Sequence, residues 1–265
     1  MENYFNIYDT LERKIVYNFT VGMGGIGDLT KFFMLLLKIC IEHNIKLHYL
    51  VNNIQVEKYL KLKYPKMYIT DQEIGLDREH IHEEKLIPNI GTGTFYIMIP
   101  QVLWPNPNSN NVYYNIQDVF YFSDEVKING SKFFNNDINY ISIHLRLGDK
   151  YLETDKSFIV CGDDVRTFNE QNIFDCIEKN YDKNILFFCD NRNYKLKIKN
   201  KYDKIIITDY EIGHTSLFNT TDKQFLDTMT EFYLLTNSEH IYSASYSGFS
   251  IVAAAFKGVQ LTKIY

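Results

Sequence analysis

Apolar and polar positions along the chain fall into two successive alternating series. Residues 14–20 form a short run rich in Ile, Val, Tyr and Phe, the pattern of a buried strand. A glycine-rich stretch, 21–28, follows, and then an apolar helical run from Leu29 to about Glu42. Residues 46–52 predict a second strand, 55–63 a helix and 67–70 a short third strand. This βαβαβ order predicts a parallel sheet flanked by helices. Residues 71–95 are polar and carry no clear period. Residues 95–99 predict another strand, stopped by Pro100. The Pro- and Asn-rich segment 104–111 is a loop. Residues 113–126 fit a helix or an extended crossover, and 127–131 a turn.

The alternation restarts at residue 139. Strands are expected at about 139–145, 184–189, 203–208, 240–243 and 259–264, with helices at about 167–180, 191–199, 222–237 and 248–256. Two such series predict an α/β protein of two Rossmann-like domains facing a cleft, with a boundary near 125–138. No solenoid repeat is visible.

The stretch that asks for a function is 139–150, Asn-Tyr-Ile-Ser-Ile-His-Leu-Arg-Leu-Gly-Asp-Lys. Tyr140, Ile141 and Ile143 are strand formers. His144 and Arg146 share one face at the strand end, before a Gly148-Asp149 turn and Lys150. Ligands of open α/β sheets sit at strand C-termini, and the planar fork of Arg suits phosphate. Arg occurs only at 13, 78, 146, 166 and 192, so its position here stands out.

Composition narrows the function classes. The 265 residues are 45% hydrophobic and 15% aromatic, enough for a substantial core. A net charge of −5 argues against broad nucleic-acid or anionic-membrane binding. Cys40, Cys161, Cys176 and Cys189 form no CxxC pair and no zinc-type cluster, and read as reduced thiols. Residues 1–13 lack a signal-peptide core. The apolar run 32–41 is interrupted by Lys38 and is too short to span a bilayer. A cytoplasmic location without a membrane span is the expectation. Sequons at Asn18, Asn129 and Asn219 carry little weight there.

Gly22, Gly24 and Gly27 match G-x-G-x-x-G between a strand and a helix, the setting of a dinucleotide fingerprint. The acid that would bind ribose about 20 residues on is missing, because the second strand ends in Val51-Asn52-Asn53. A loop lining the cleft at a helix N-terminus is the favoured reading, ahead of a purely structural tight turn. Asp28 either caps that helix or faces a sugar hydroxyl.

The pattern His144-x-Arg146-x-Gly148-Asp149-Lys150 resembles the first signature motif of the fucosyltransferase superfamily that includes the α1,2-, α1,6- and protein O-fucosyltransferases. Gly24-Gly25-Ile26-Gly27-Asp28 resembles that family's N-terminal glycine turn. Residues 187–191, ending in Asp190-Asn191, resemble its second motif. Residues 227–255, with Glu231 on the helix and Ser245-Tyr246-Ser247-Gly248-Phe249-Ser250 in the following turn, resemble its third. The likeness covers roughly 15–50 and 139–265.

The resemblance implies a GT-B fold and an inverting, metal-independent transfer of fucose from GDP-fucose to a glycan hydroxyl, with no cofactor. Residues 1–135 would form the acceptor side and 136–265 the nucleotide-sugar side. Arg146 would bind the β-phosphate and stabilise charge on the departing GDP. Ser247 and the backbone of Gly248, Phe249 and Ser250 would hold the same phosphate at a helix start. His144, Asp149 and Lys150 would support the donor. Asp190 or Glu231 would accept guanine N–H groups. Gly24, Gly25 and Gly27 would line the cleft. The general base is open among Glu153, Asp155 and Asp28. Another donor sugar, a binding module without catalysis, and a dinucleotide oxidoreductase are the alternatives.

Overall fold

The computed structural model describes residues 1–52, 55–106, 115–133, 139–152 and 164–265. The chain opens with helix α1 (Glu2–Ile7), tied down by a 2.7 Å bond from the Tyr4 hydroxyl to the Ile45 carbonyl. Strand β1 (Lys14–Thr20), helix α2 (Ile26–His43) and β2 (Lys46–Asn52) follow. Next come α3 (Val56–Tyr59), β3 (Leu60–Leu62), α4 (Asp71–Ile74), β4 (Arg78–His80), β5 (Phe95–Met98), β6 (Phe120–Phe122) and α5 (Asp124–Ser131). The second series is β7 (Ile141–Leu145), α6 (Glu170–Lys179), β8 (Ile185–Cys189), α7 (Arg192–Lys201) and β9 (Ile206–Ile207). It closes with α8 (Asp222–Thr236), β10 (His240–Ser243), α9 (Gly248–Lys257) and β11 (Gln260–Lys263).

Two parallel sheets result, in the orders β2-β1-β5-β4 and β11-β10-β7-β8-β9. Strands β7 and β8 are buried at every position, as parallel strands covered on both faces must be. The second sheet runs outward from β7 in both directions, so its strand order reverses between β7 and β10. Their register sets His144 beside Ser243. In open α/β sheets ligands bind in the crevice at such a point, beyond the strand C-termini. There the chain carries Arg146 on one side and the Ser245–Ser250 turn on the other.

Helix α2 is buried on nearly every face, from Leu29 through Phe33 and Leu36 to Cys40. A helix apolar all round belongs inside, and one core joins β1 and α2 to Phe232 of α8 and Phe256 of α9. A second core, with Ile143, Ile177, Phe187 and Ile198, lies within the second series. Both halves therefore bury apolar surface together.

Three local expectations are corrected. The segment read as one helix at 55–63 splits into α3 and β3, which pairs antiparallel with β6. Leu60 and Leu62 are buried on either side of a partly exposed Lys61, a period of two rather than 3.6. The third strand at 67–70 is a 3₁₀ turn, Pro65–Met67, followed by a single parallel bridge from Tyr68 to Tyr49. The turn read at 127–131 is the last part of α5, whose N-terminus is capped by Ser123. Gly130 sits there because an added Cβ would lie 2.8 Å from the Tyr233 ring. Helix α5 docks on α8, with Asn129 Nδ2 donating to Thr230 Oγ1 at 3.1 Å. Among the described residues no helix is long and apolar enough to cross a membrane.

Candidate functional site

The end of β7 is held by one carboxylate. Asp190, at the end of β8, accepts from the Leu147 N–H at 2.8 Å and the Gly148 N–H at 3.1 Å. The same group accepts from Arg146 Nη1 at 2.8 Å, and Asp149 accepts from Nη2. Two carboxylates thus fix the plane of the guanidinium and use two of its five N–H groups. The Arg146 main chain is pinned too, exchanging bonds of 2.9 and 2.8 Å with the Ser245 hydroxyl. Gly148 has φ +113°, and a Cβ there would overlap the Asp164 carbonyl oxygen, so only glycine suits this turn.

His144 is buried and neutral. Burial, then the charges of Arg146 and Lys195, push its pKa down to about 3. Its Nδ1 lies 2.6 Å from the Ser250 hydroxyl, and its ring stacks on Phe249 at 5.4 Å. Ser247 caps α9 by accepting from the Phe249 N–H at 3.2 Å.

The glycine loop meets this turn directly. Gly27 at the start of α2 lies so close to α9 that a Cβ would stand 2.8 Å from the Gly248 carbonyl carbon. The N-termini of two helices therefore converge beside Arg146, and each presents partial positive charge. The Asp28 side chain folds over Gly24, which has φ +122°, and pairs with Lys31 at 2.9 Å.

The loop before α8 completes the arrangement. Thr215 Oγ1 accepts from the Ile26 N–H at 2.9 Å, and Ser216 Oγ accepts from the Gly22 N–H at 2.7 Å. His214 is half-buried between them and the glycine loop, 3.7 Å from where a Gly25 Cβ would be. Burial and the Arg146 charge lower its pKa, against the pull of Asp149, Asp28 and Asp164.

Of the residues singled out from sequence, His144, Arg146, Asp149, Ser247, Gly248, Phe249 and Ser250 come together with Gly25, Gly27 and Asp28. Lys150 is exposed at the rim. The two carboxylates expected to read guanine have other partners. Asp190 is 4% exposed and serves Arg146 and the turn behind it. Glu231 is equally buried, accepting from Lys195 Nζ at 2.6 Å and from Thr208. A buried carboxylate needs such donors, and the fold supplies them from within. Glu153, Asp155 and Cys161 lie outside the described residues; Cys40, Cys176 and Cys189 are free thiols. His214, Thr215 and Ser216 join the site without a sequence motif that marks them; the only hint is a Gly-His-Thr-Ser run, 213–216, in an unassigned loop. Among the described residues no group of three or more His, Cys, Asp or Glu is placed to hold a metal ion. An open depression of about 690 Å³ lies elsewhere, on the outer side of α2 around Lys38 and His82, and includes none of these residues.

By sequence, the chain matches no family model and no curated protein. In three dimensions it is a mixed α/β protein with the fold of the GT-B fucosyltransferases. POFUT1 in complex with GDP-fucose superposes with a TM-score of 0.59, covering 96% of this chain and 98% of its own, at 10% identity. NodZ α-1,6-fucosyltransferase co-crystallised with GDP gives 0.57, covering 91% of each chain at 9% identity. A mutant of Arabidopsis thaliana FUT1 in complex with GDP gives 0.55, covering all of this chain and 75% of its own, at 14% identity. At these identities the likeness is one of fold.

Proposed function

We propose that the protein is an inverting fucosyltransferase that takes GDP-fucose as donor and a glycan hydroxyl as acceptor. The observation that carries this reading is Arg146, fixed by Asp149 and Asp190 at the sheet's switch point, beside two converging helix N-termini. Those groups supply positive potential where the leaving diphosphate gains charge, which is where stabilisation accelerates the reaction. The acceptor oxygen attacks C1 of the sugar from the face away from the diphosphate. The bond from C1 to the phosphate oxygen breaks, GDP departs with the electron pair, and the hydroxyl proton passes to a base or to water. Asp28, on the glycine loop and paired with Lys31, is the described candidate for that base; Glu153 and Asp155 remain the others. Neutral His144 orients the Ser250–Phe249 turn from behind.

The test is GDP release from GDP-fucose by purified protein, with and without a panel of glycan acceptors. Release by the wild type, abolished in Arg146→Lys, is expected. Release from a different nucleotide sugar alone would change the donor. Tight GDP binding with neither transfer nor hydrolysis would favour a binding module.

A further inference from the structure

We propose that His214 is a donor-binding residue that gives its Nε2–H to an oxygen of the diphosphate, from the glycine-loop side of the cleft opposite Arg146. The proposal rests on the donor reading above. Its first support is the tautomer. His214 Nδ1 accepts the Ser216 N–H at 3.2 Å, so the neutral ring carries its proton on Nε2. The second is direction. Nε2 and Cε1 form the ring edge that faces Gly25, at the start of α2. The third is company. That edge looks toward the N-terminus of α2, which touches that of α9, and Arg146 is the strongest charge the ring feels. The acids around it, Asp28, Asp149 and Asp164, are paired with Lys31, Arg146 and Arg166 respectively.

The same tautomer makes His214 unsuited as the base for the acceptor. Its free nitrogen edge donates, while its lone pair is spent on the main chain. The segment that carries the ring is anchored to the glycine loop. Thr215 and Ser216, its sequence neighbours, are hydrogen-bonded to the N–H groups of Ile26 and Gly22. A rigid neutral donor adds no charge to a site already crowded with carboxylates, and it binds an oxyanion without needing a proton.

The experiment is calorimetric titration of GDP into wild type, His214→Ala, His214→Phe and His214→Gln, each checked for a cooperative melt. Ala and Phe remove the donor, and Phe keeps the ring shape, so either folded variant carries the test. Gln restores an N–H. The expected result is GDP affinity lowered about 10-fold or more in the donor-less variants and largely recovered in Gln. Wild-type affinity in His214→Ala or His214→Phe overturns the proposal, and so does an equal loss in Gln, which marks a structural role. If Arg146→Lys weakens GDP while the His214 variants do not, only this proposal fails. If the wild type does not bind GDP, the donor reading fails with it.

Discussion

Two glycines touch where α2 meets α9, and the same substitution at each should have opposite outcomes. A methyl at Gly27 would lie 2.8 Å from the Gly248 carbonyl carbon, 3.0 Å from its oxygen and 3.1 Å from the Phe249 nitrogen. All three are backbone atoms, so no side chain can swing aside. To regain ordinary contact the helix ends must part by roughly 0.6 Å. Overpacking of this kind costs about 1–3 kcal/mol, offset by up to about 1 kcal/mol of helix propensity. The net loss expected for Gly27→Ala is about 1–2 kcal/mol, a fall in Tm of roughly 2–8 °C for a chain of this length. A methyl at Gly248 meets only the Gly27 Cα, at 3.9 Å. Gly248→Ala should therefore be neutral or gain up to about 1 kcal/mol. Urea unfolding of both variants reads the difference directly. Equal stability of the two variants would refute the argument that these helix ends are in backbone contact.

Gly148→Ala forces an unfavourable φ and a clash with the Asp164 carbonyl, so it should cost roughly 2–5 kcal/mol and loosen the turn that presents Arg146; chemical denaturation measures the first and GDP titration the second. Lys195→Met strands the buried Glu231 carboxylate and should cost about 3–5 kcal/mol. The double variant Lys195→Met/Glu231→Leu should lose less, which a urea double-mutant cycle would show. His144 titrates near 6.5 when unfolded and is pushed down to about 3 when folded. The unfolded chain then binds the extra proton between those values. The group's contribution is intact above pH 6.5 and is lost as pH falls toward 3, by about 1.4 kcal/mol per pH unit. Comparing the pH dependence of unfolding in wild type and His144→Asn isolates it; parallel curves would contradict the assignment.

Much of the fold was legible because parallel strands are bounded by sharp changes in polarity. β1 and β2 end where the apolar run ends, and the four long helices of the second half follow the 3.6 period. The β3–β6 ribbon was not legible: three-residue strands carry too little period, and Leu60 and Leu62 suit a helix as well. In the site, Arg146, Ser247 and Gly27 were visible as residues whose chemistry or size has a purpose at a strand end or helix start. Asp190 and Glu231 show the limit of that reasoning. A carboxylate in the sequence does not reveal which donors the fold will aim at it, and here Leu147, Gly148 and Lys195 claim them first. The placement of His214 is not legible in the sequence for a related reason: its neighbour Thr215 bonds the N–H of Ile26, at the start of α2 and nearly 190 positions earlier.

In the proposed function, Arg146 and the converging helix ends hold the diphosphate of GDP. The decisive experiment is calorimetric titration of GDP into wild type and Arg146→Lys. Lys keeps the charge but not the planar fork that Asp149 and Asp190 orient. Saturable binding by the wild type and a loss of about 10- to 100-fold in the variant are expected. Absent binding by the wild type, or equal affinity in a folded Arg146→Lys protein, would remove Arg146 from the diphosphate site.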